Sequence, residues 1–216
     1  MDVKQYPPKR IRSQISNWKN MMKLPGEIVE EADSFYETKI AEVYSKYEQK
    51  LILSNAFDFD DLLVKTVDLF KTDPKTLKFW STKFKFVMVD EYQDTNYAQY
   101  KIIELLAKEH KNICVVGDSD QSIYAFRGAD IRNIEEFDKD FPNAKVVTLD
   151  RNYRSTQSIL DTANSVISCN SNRKPKNLWT DLKEGNEVQS IKFNKEVIIK
   201  KTKELENNFS KEQLFN

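Results

Sequence analysis

The residues 84–96, FKFVMVDEYQDTN, constrain this chain more than any other stretch. Five of the six residues 84–89 are apolar, and most are β-branched or aromatic. A short run of this kind predicts a strand buried on both faces. Asp90 and Glu91 follow at once. Adjacent carboxylates at the end of a buried strand are costly unless something pairs with them. Ligands of open α/β sheets bind just outside the carboxyl ends of the strands. The stretch therefore reads as one wall of a metal–phosphate site, with a strand followed by a plain polar turn as the alternative.

Around it, apolar and polar runs alternate. Residues 96–109 read as a helix with Tyr100, Ile103 and Leu106 or Ala107 toward the sheet. A second buried strand is expected over 112–117 (NICVVG), and a third over 145–149. Between them lie a polar segment, 118–130, and a short helix through Phe137. A helix to about Ser168 follows the third strand. Strand, helix, strand, helix, strand, helix predicts a parallel α/β sheet. Upstream, Ile11, Ile15, Trp18 and Met22 recur at helical spacing, and Pro25-Gly26 ends that helix. A longer helix is expected over 29–53, with Ala32, Tyr36, Ile40, Val43, Tyr47 and Leu51 as its apolar stripe. In 57–63 (FDFDDLL), Asp58 or Asp60 can cap a helix that buries Leu62, Leu63, Thr66, Val67 and Phe70 and stops at Pro74. Downstream, 170–187 reads as loop, 188–193 as a candidate strand and 196–205 as a polar helix.

Composition excludes several classes. Lys+Arg and Asp+Glu are both 34, so any nucleic-acid contact must come from local placement of charge and not from a global basic field. The two cysteines, Cys114 and Cys169, suggest neither a disulfide framework nor a zinc site. Cys114, inside an apolar run, reads as a small core residue. The N-terminus has no apolar leader-like run and no segment is long enough to span a membrane, so a reducing cytoplasm is the expected setting. The lone His110 reads as the cationic end of a helix.

Three constellations carry chemistry. The first two strands end in acids on one sheet edge if they are parallel: Asp90, Glu91, Gln93 and Asp94 on one, Asp118, Asp120 and Gln121 on the other. Asp90 suits a magnesium ligand acting through water. Glu91 suits a base for an attacking water, and Gln121 can hydrogen-bond a terminal phosphate. Next come Tyr124, Phe126 and Arg127, which either stack bases and hold a phosphate or belong to the core. Last is Tyr153-Arg154-Ser155 at a strand-to-helix turn, where Tyr153 can stack on a nucleobase and Arg154 can reach a phosphate.

The strings FDFDDLL (57–63), VDEYQDTN (89–96), VVGDSDQSIYAFRGAD (115–130), LDRNYRST (149–156) and NRKPKNLWT (172–180) stand together in order. In this the chain resembles the UvrD/PcrA/Rep branch of superfamily 1 DNA helicases over roughly residues 10–190. The resemblance implies an ATP-driven motor that moves 3′ to 5′ on single-stranded DNA and unwinds duplexes, with two RecA-like domains clamping Mg-ATP. It implies Asp90 as metal ligand, Glu91 as catalytic base and Gln121 as γ-phosphate sensor. It further implies Tyr124 and Phe126 as base-stacking residues and Arg127 as a DNA contact. The family often has Trp at the position of Phe126, so a weaker platform is expected. Tyr153 would stack on adenine and Arg154 would act as an arginine finger.

The implied domains are 1–55, part of a helical insertion; 56–149, part of the first RecA-like motor domain; and 150–216, the start of the second. None of the four glycines, Gly26, Gly117, Gly128 and Gly185, is followed by Lys, so the phosphate-binding loop GxxxxGK[ST] is absent. The expectation is an internal helicase fragment whose partner is the missing remainder and which hydrolyses ATP negligibly alone. A helicase–nuclease subunit of recombination, a non-catalytic single-stranded-DNA-binding module and a decaying fragment are the competing readings.

Overall fold

The computed structural model describes residues 4–170, 173, 175–182, 185, 186 and 188. It divides into two compact units, 1–146 and 147–216.

The first unit opens with three helices around one core. α1 (Pro8–Asn20) starts on a proline at its first turn, where a missing N–H costs nothing. Its buried Ile11, Ile15 and Trp18 pack with Tyr6, Ile28, Ile40, Ala41 and Tyr44. Met22 lies past the helix end, in the left-handed region at φ 60°. The single helix expected over 29–53 is two, α2 (Pro25–Glu31) and α3 (Phe35–Leu53). Ser34 breaks them apart, because its hydroxyl caps α3 by accepting from the Glu37 N–H at 3.2 Å. The buried stripe of α3 is centred on Ile40, Ala41 and Tyr44; Tyr36, expected in it, is exposed.

α4 (Asp61–Thr72) buries Asp61, Val64, Val67 and Phe70, while Leu62 turns outward. Pro74 does not end the region. Asp73 caps a further helix, α5 (Pro74–Lys83), with Pro74 at its first position.

β1 (Val87–Val89) and β2 (Ile113–Val115) pair in parallel, Val87 opposite Ile113, Met88 opposite Cys114 and Val89 opposite Val115. α6 (Tyr97–Ala107) makes the crossover. Asn96 caps it reciprocally with Gln99 at 2.9 Å in both directions. β1 is shorter than the six-residue strand expected, since residue 84 still belongs to the end of α5. Nor is it buried on both faces: Phe86 is 75% and Met88 78% exposed, and Cys114 is exposed beside them. The helices cover only one side of this sheet, so the apolar run has one open face.

α7 (Arg132–Glu135) and α8 (Phe137–Asp140) follow. The third strand expected at 145–149 is absent among the described residues, and Val146 is 77% exposed. A strand exists only through a paired neighbour, and none runs beside this segment there.

In the second unit, Arg151 bridges Trp179, and α9 (Gln157–Ile167) buries Leu160. Asn164 ties α9 to the following loop through Leu178, donating to its carbonyl at 2.9 Å and accepting its N–H at 3.2 Å. The strand and helix expected at 188–193 and 196–205 lie outside the described residues, Val188 excepted. No helix among the described residues is long and apolar enough to cross a membrane.

Candidate nucleotide and nucleic-acid site

Parallel pairing puts the carboxyl ends of β1 and β2 on one edge, so Asp90-Glu91 and Gly117-Asp118 leave the sheet side by side. Glu91 adopts a left-handed backbone at φ 50°. The turn survives because the next N–H, that of Tyr92, is held by the Val116 carbonyl at 2.9 Å. Asp90 accepts the Glu91 N–H at 2.9 Å through one oxygen, Oδ1.

Gln93, only 1% exposed, is the hinge pin of this edge. Its amide nitrogen donates to Glu91 Oε2 at 2.8 Å, and its amide oxygen accepts the Asp118 N–H at 2.9 Å. Asp118 in turn accepts from the Gln121 amide at 2.8 Å. A continuous hydrogen-bonded run therefore joins Glu91, Gln93, Asp118 and Gln121. Gly117 leaves room for it: a Cβ there would sit 2.6 Å from Gln93 Oε1 and 2.9 Å from Ile134 Cδ1. Sequence reading placed Gln93 in the polar cluster but gave it no role. Its only signal was a polar residue following a strand end.

The segment that continues to residue 130 is pinned at its far end too. The Asp130 N–H donates to the Thr95 carbonyl at 3.0 Å, and the Asn133 amide donates to the same carbonyl at 3.0 Å. Between these anchors, Tyr124 and Phe126 lie with ring centroids 5.9 Å apart at 49°. Phe126 is 73% exposed, so it is not core. The Arg127 guanidinium lies across both rings, 4.9 Å from Tyr124 and 5.4 Å from Phe126. Gly128 closes the turn at φ 88°, a conformation that favours glycine.

In the second unit, Asn152 Oδ1 accepts the N–H groups of Arg154 (2.9 Å) and Ser155 (2.7 Å). This Asx turn leads into α9 and leaves Tyr153 and Arg154 exposed. Arg151 stacks 4.9 Å from the Tyr153 ring and 5.5 Å from Trp179, and pairs with Asp181.

A divalent metal is partly provided for. Asp90 is exposed and keeps Oδ2 outside its backbone hydrogen bond, which suits a magnesium ion that retains most of its water. The described residues contain no cluster of three or more His, Cys, Asp or Glu placed to hold a metal by themselves. His110 is structural: its Nδ1 accepts the Asn112 N–H at 3.0 Å in the turn before β2.

The acids of 57–63 serve the fold. Asp58 caps the start of α4 by accepting the Asp61 N–H at 2.8 Å. The Lys19 ammonium, 1% exposed, lies 2.7 Å from Glu48 and 2.9 Å from both Asp58 and Asp61. Tyr47 donates its hydroxyl to Asp58 at 2.9 Å.

Residues 1–142 match the UvrD/REP helicase N-terminal domain, and residues 147–213 match the UvrD-like helicase C-terminal domain. The chain is 50% identical over 189 residues to the ATP-dependent DNA helicase PcrA of Staphylococcus epidermidis, covering 88% of this chain and 26% of that protein. It is 51% identical over 185 residues to PcrA of Bacillus subtilis (86% and 25%), and 49% identical over 188 residues to PcrA of Staphylococcus aureus (87% and 26%). The chain thus spans about a quarter of the length of the curated relatives it matches.

Proposed function

The chain belongs to the UvrD/REP helicase family, and from that premise we propose that it is part of an ATP-driven motor that moves 3′ to 5′ along single-stranded DNA and opens duplexes. Residues 1–55 are assigned to a helical insertion, 56–149 to a first RecA-like domain and 150–216 to the start of a second. The observation that carries the reading is the run Glu91–Gln93–Asp118–Gln121, which continues in sequence into Tyr124, Phe126 and Arg127. It makes a mechanical connection between groups suited to phosphate chemistry and groups suited to base stacking.

Glu91 takes the proton of an attacking water. Gln93 holds Glu91 Oε2, which leaves Oε1 for that water. Gln121 hydrogen-bonds the γ-phosphate, and its release is transmitted through Asp118 and Gln93. Tyr153 stacks on the adenine ring and Arg154 pairs with the γ-phosphate. Asp90 would hold a magnesium ion through water, and that ion would neutralise charge on the phosphates. At the DNA end, Tyr124 and Phe126 stack bases and Arg127 leaves the rings for a phosphate.

The test is a chimera in which this chain replaces the matching quarter of Bacillus subtilis PcrA. Single-stranded-DNA-stimulated ATP hydrolysis is expected, falling at least about 100-fold in Glu91→Gln. A folded chimera without stimulated turnover would overturn the proposal. The exposed Phe126, with Arg127 lying across its ring and that of Tyr124, also fits a second reading, a DNA-binding module without hydrolysis. On that reading the isolated chain binds single strands and loses binding when Tyr124 and Phe126 become Ala.

A further inference from the structure

The segment 71–86 carries Lys71, Lys75, Lys78, Lys83 and Lys85 against one acid, Asp73, in a chain that is neutral overall. Asp73 is committed to capping α5: it accepts the N–H groups of Lys75 (3.0 Å) and Thr76 (3.3 Å) and the Thr76 hydroxyl (2.8 Å). Lys78 is paired with Glu109, but both are well exposed, so the pair is weak. The local charge is therefore cationic.

α5 leaves aromatic surface in solvent: Ser81 is the residue it buries and Leu77 and Trp80 are half-buried, while Phe79 is 60% exposed and Phe84 and Phe86, just past the helix, are exposed as well. Trp80 stacks on Phe84 at 5.4 Å and meets Phe79 edge-on at 5.2 Å. The Lys83 ammonium sits 4.8 Å from the Trp80 ring and 5.8 Å from Phe79. Pro74, Lys75, Lys78, Phe79, Thr82 and Lys83 form one shallow, open face of α5. Lys75, Phe79 and Lys83 recur every fourth residue on one helix face, spanning about 12 Å.

We propose that this helix face is a second binding site for single-stranded nucleic acid, in which a base stacks on Phe79 and Lys75 and Lys83 hold the flanking phosphates. Charge complementarity requires an anionic occupant. The outward rings select one with exposed flat faces, which unpaired bases supply and a duplex or an acidic peptide does not. The site shares no residue with Tyr124, Phe126 and Arg127. It lies at the amino end of β1, whereas Asp90 follows the carboxyl end.

The test is fluorescence anisotropy of a labelled oligothymidylate with the whole chain, across a salt series. Phe79→Ala is expected to weaken binding about tenfold. The double variant Lys75→Gln/Lys83→Gln is expected to lower the slope of log affinity against log salt by about 1.4, at about 0.7 per phosphate contact. These side chains are exposed, and the lysine variant keeps the test valid if Phe79→Ala fails to fold. Wild-type binding in both variants overturns the proposal, as does competition by polyglutamate equal to that by oligothymidylate. If only Tyr124→Ala/Phe126→Ala weakens binding, the α5 site falls and the functional reading stands. If only the α5 variants weaken it, the α5 site stands and the platform at Tyr124 and Phe126 falls.

Discussion

Lys19 is the buried side chain on which three carboxylates, Glu48, Asp58 and Asp61, converge. Burial works to lower its pKa, but hydrogen bonds to Asp58, Glu48 and Asp61 outweigh it and hold the value above that of an ordinary lysine. Replacing Lys19 with Met leaves three carboxylates facing each other in a nearly dry site. The expected cost is about 3–5 kcal/mol in urea unfolding of the chain. Asp58 shows the other side of the balance. Burial disfavours its charge, yet Lys19, the Asp61 N–H and the Tyr47 hydroxyl together depress its pKa. A depressed folded-state value means a contribution present above the unfolded value near 3.9 and lost as pH falls through the folded one. The raised Lys19 value means a contribution present below about 10.5 and lost only as pH rises beyond it. Stability should therefore hold between roughly pH 5 and 10 and drop below about pH 4. Asp58→Asn should flatten the acid limb, measured as urea midpoint against pH. None of this was visible in 57–63, where a cap by Asp58 or Asp60 was the role read for the acids. The partner is 39 residues away in sequence.

Elements were legible where a local signal acted alone. The apolar periodicity of α1 and the helix beginning near residue 96 were both readable, because each depends on residues within one or two turns. The same reading missed α5, since Pro74 looked like a terminator when it is a first-turn residue behind an Asp73 cap. It also fused α2 and α3, since the stripe carries on across Ser34 in sequence though not in space. Two caps test how element ends couple to the rest. Ser34→Ala should cost about 1 kcal/mol, the usual loss of a cap. Asn96→Ala should cost more, about 2–3 kcal/mol, because the Asn96 amide also donates to buried Asn20 Oδ1 at 2.8 Å and would leave that acceptor unpaired. Equal losses in chemical denaturation would show that the α1–α6 contact contributes nothing.

At the scale of the molecule, the two-stranded sheet is open on one face, with Phe86, Met88 and Cys114 in solvent. A patch of that kind promotes association. Met88→Lys should reduce self-association of the chain in light scattering at micromolar concentration, and should leave its unfolding midpoint nearly unchanged because Met88 is already exposed. For hydrolysis, the 216 residues contain Asp90 and Glu91 but no GxxxxGK[ST] loop to hold the β- and γ-phosphates. The chain by itself should show no DNA-stimulated ATP turnover above background in a coupled assay. Turnover at a rate of even about 1 per second would refute this.

Sequence alone determined the order of the motifs, the family, the two acids at the end of β1 and the parallel sense of the βαβ step. These are encoded in runs of adjacent residues and in the periods of helix and strand. Only the tertiary structure decided that Gln93 joins Glu91 to Asp118, that Lys19 gathers Glu48, Asp58 and Asp61, and that Phe79 of α5 stands in solvent. It also decided that 145–149 remains unpaired among the described residues. Each of these depends on partners distant in the chain, or on which neighbour covers a face. No local pattern of polarity records either.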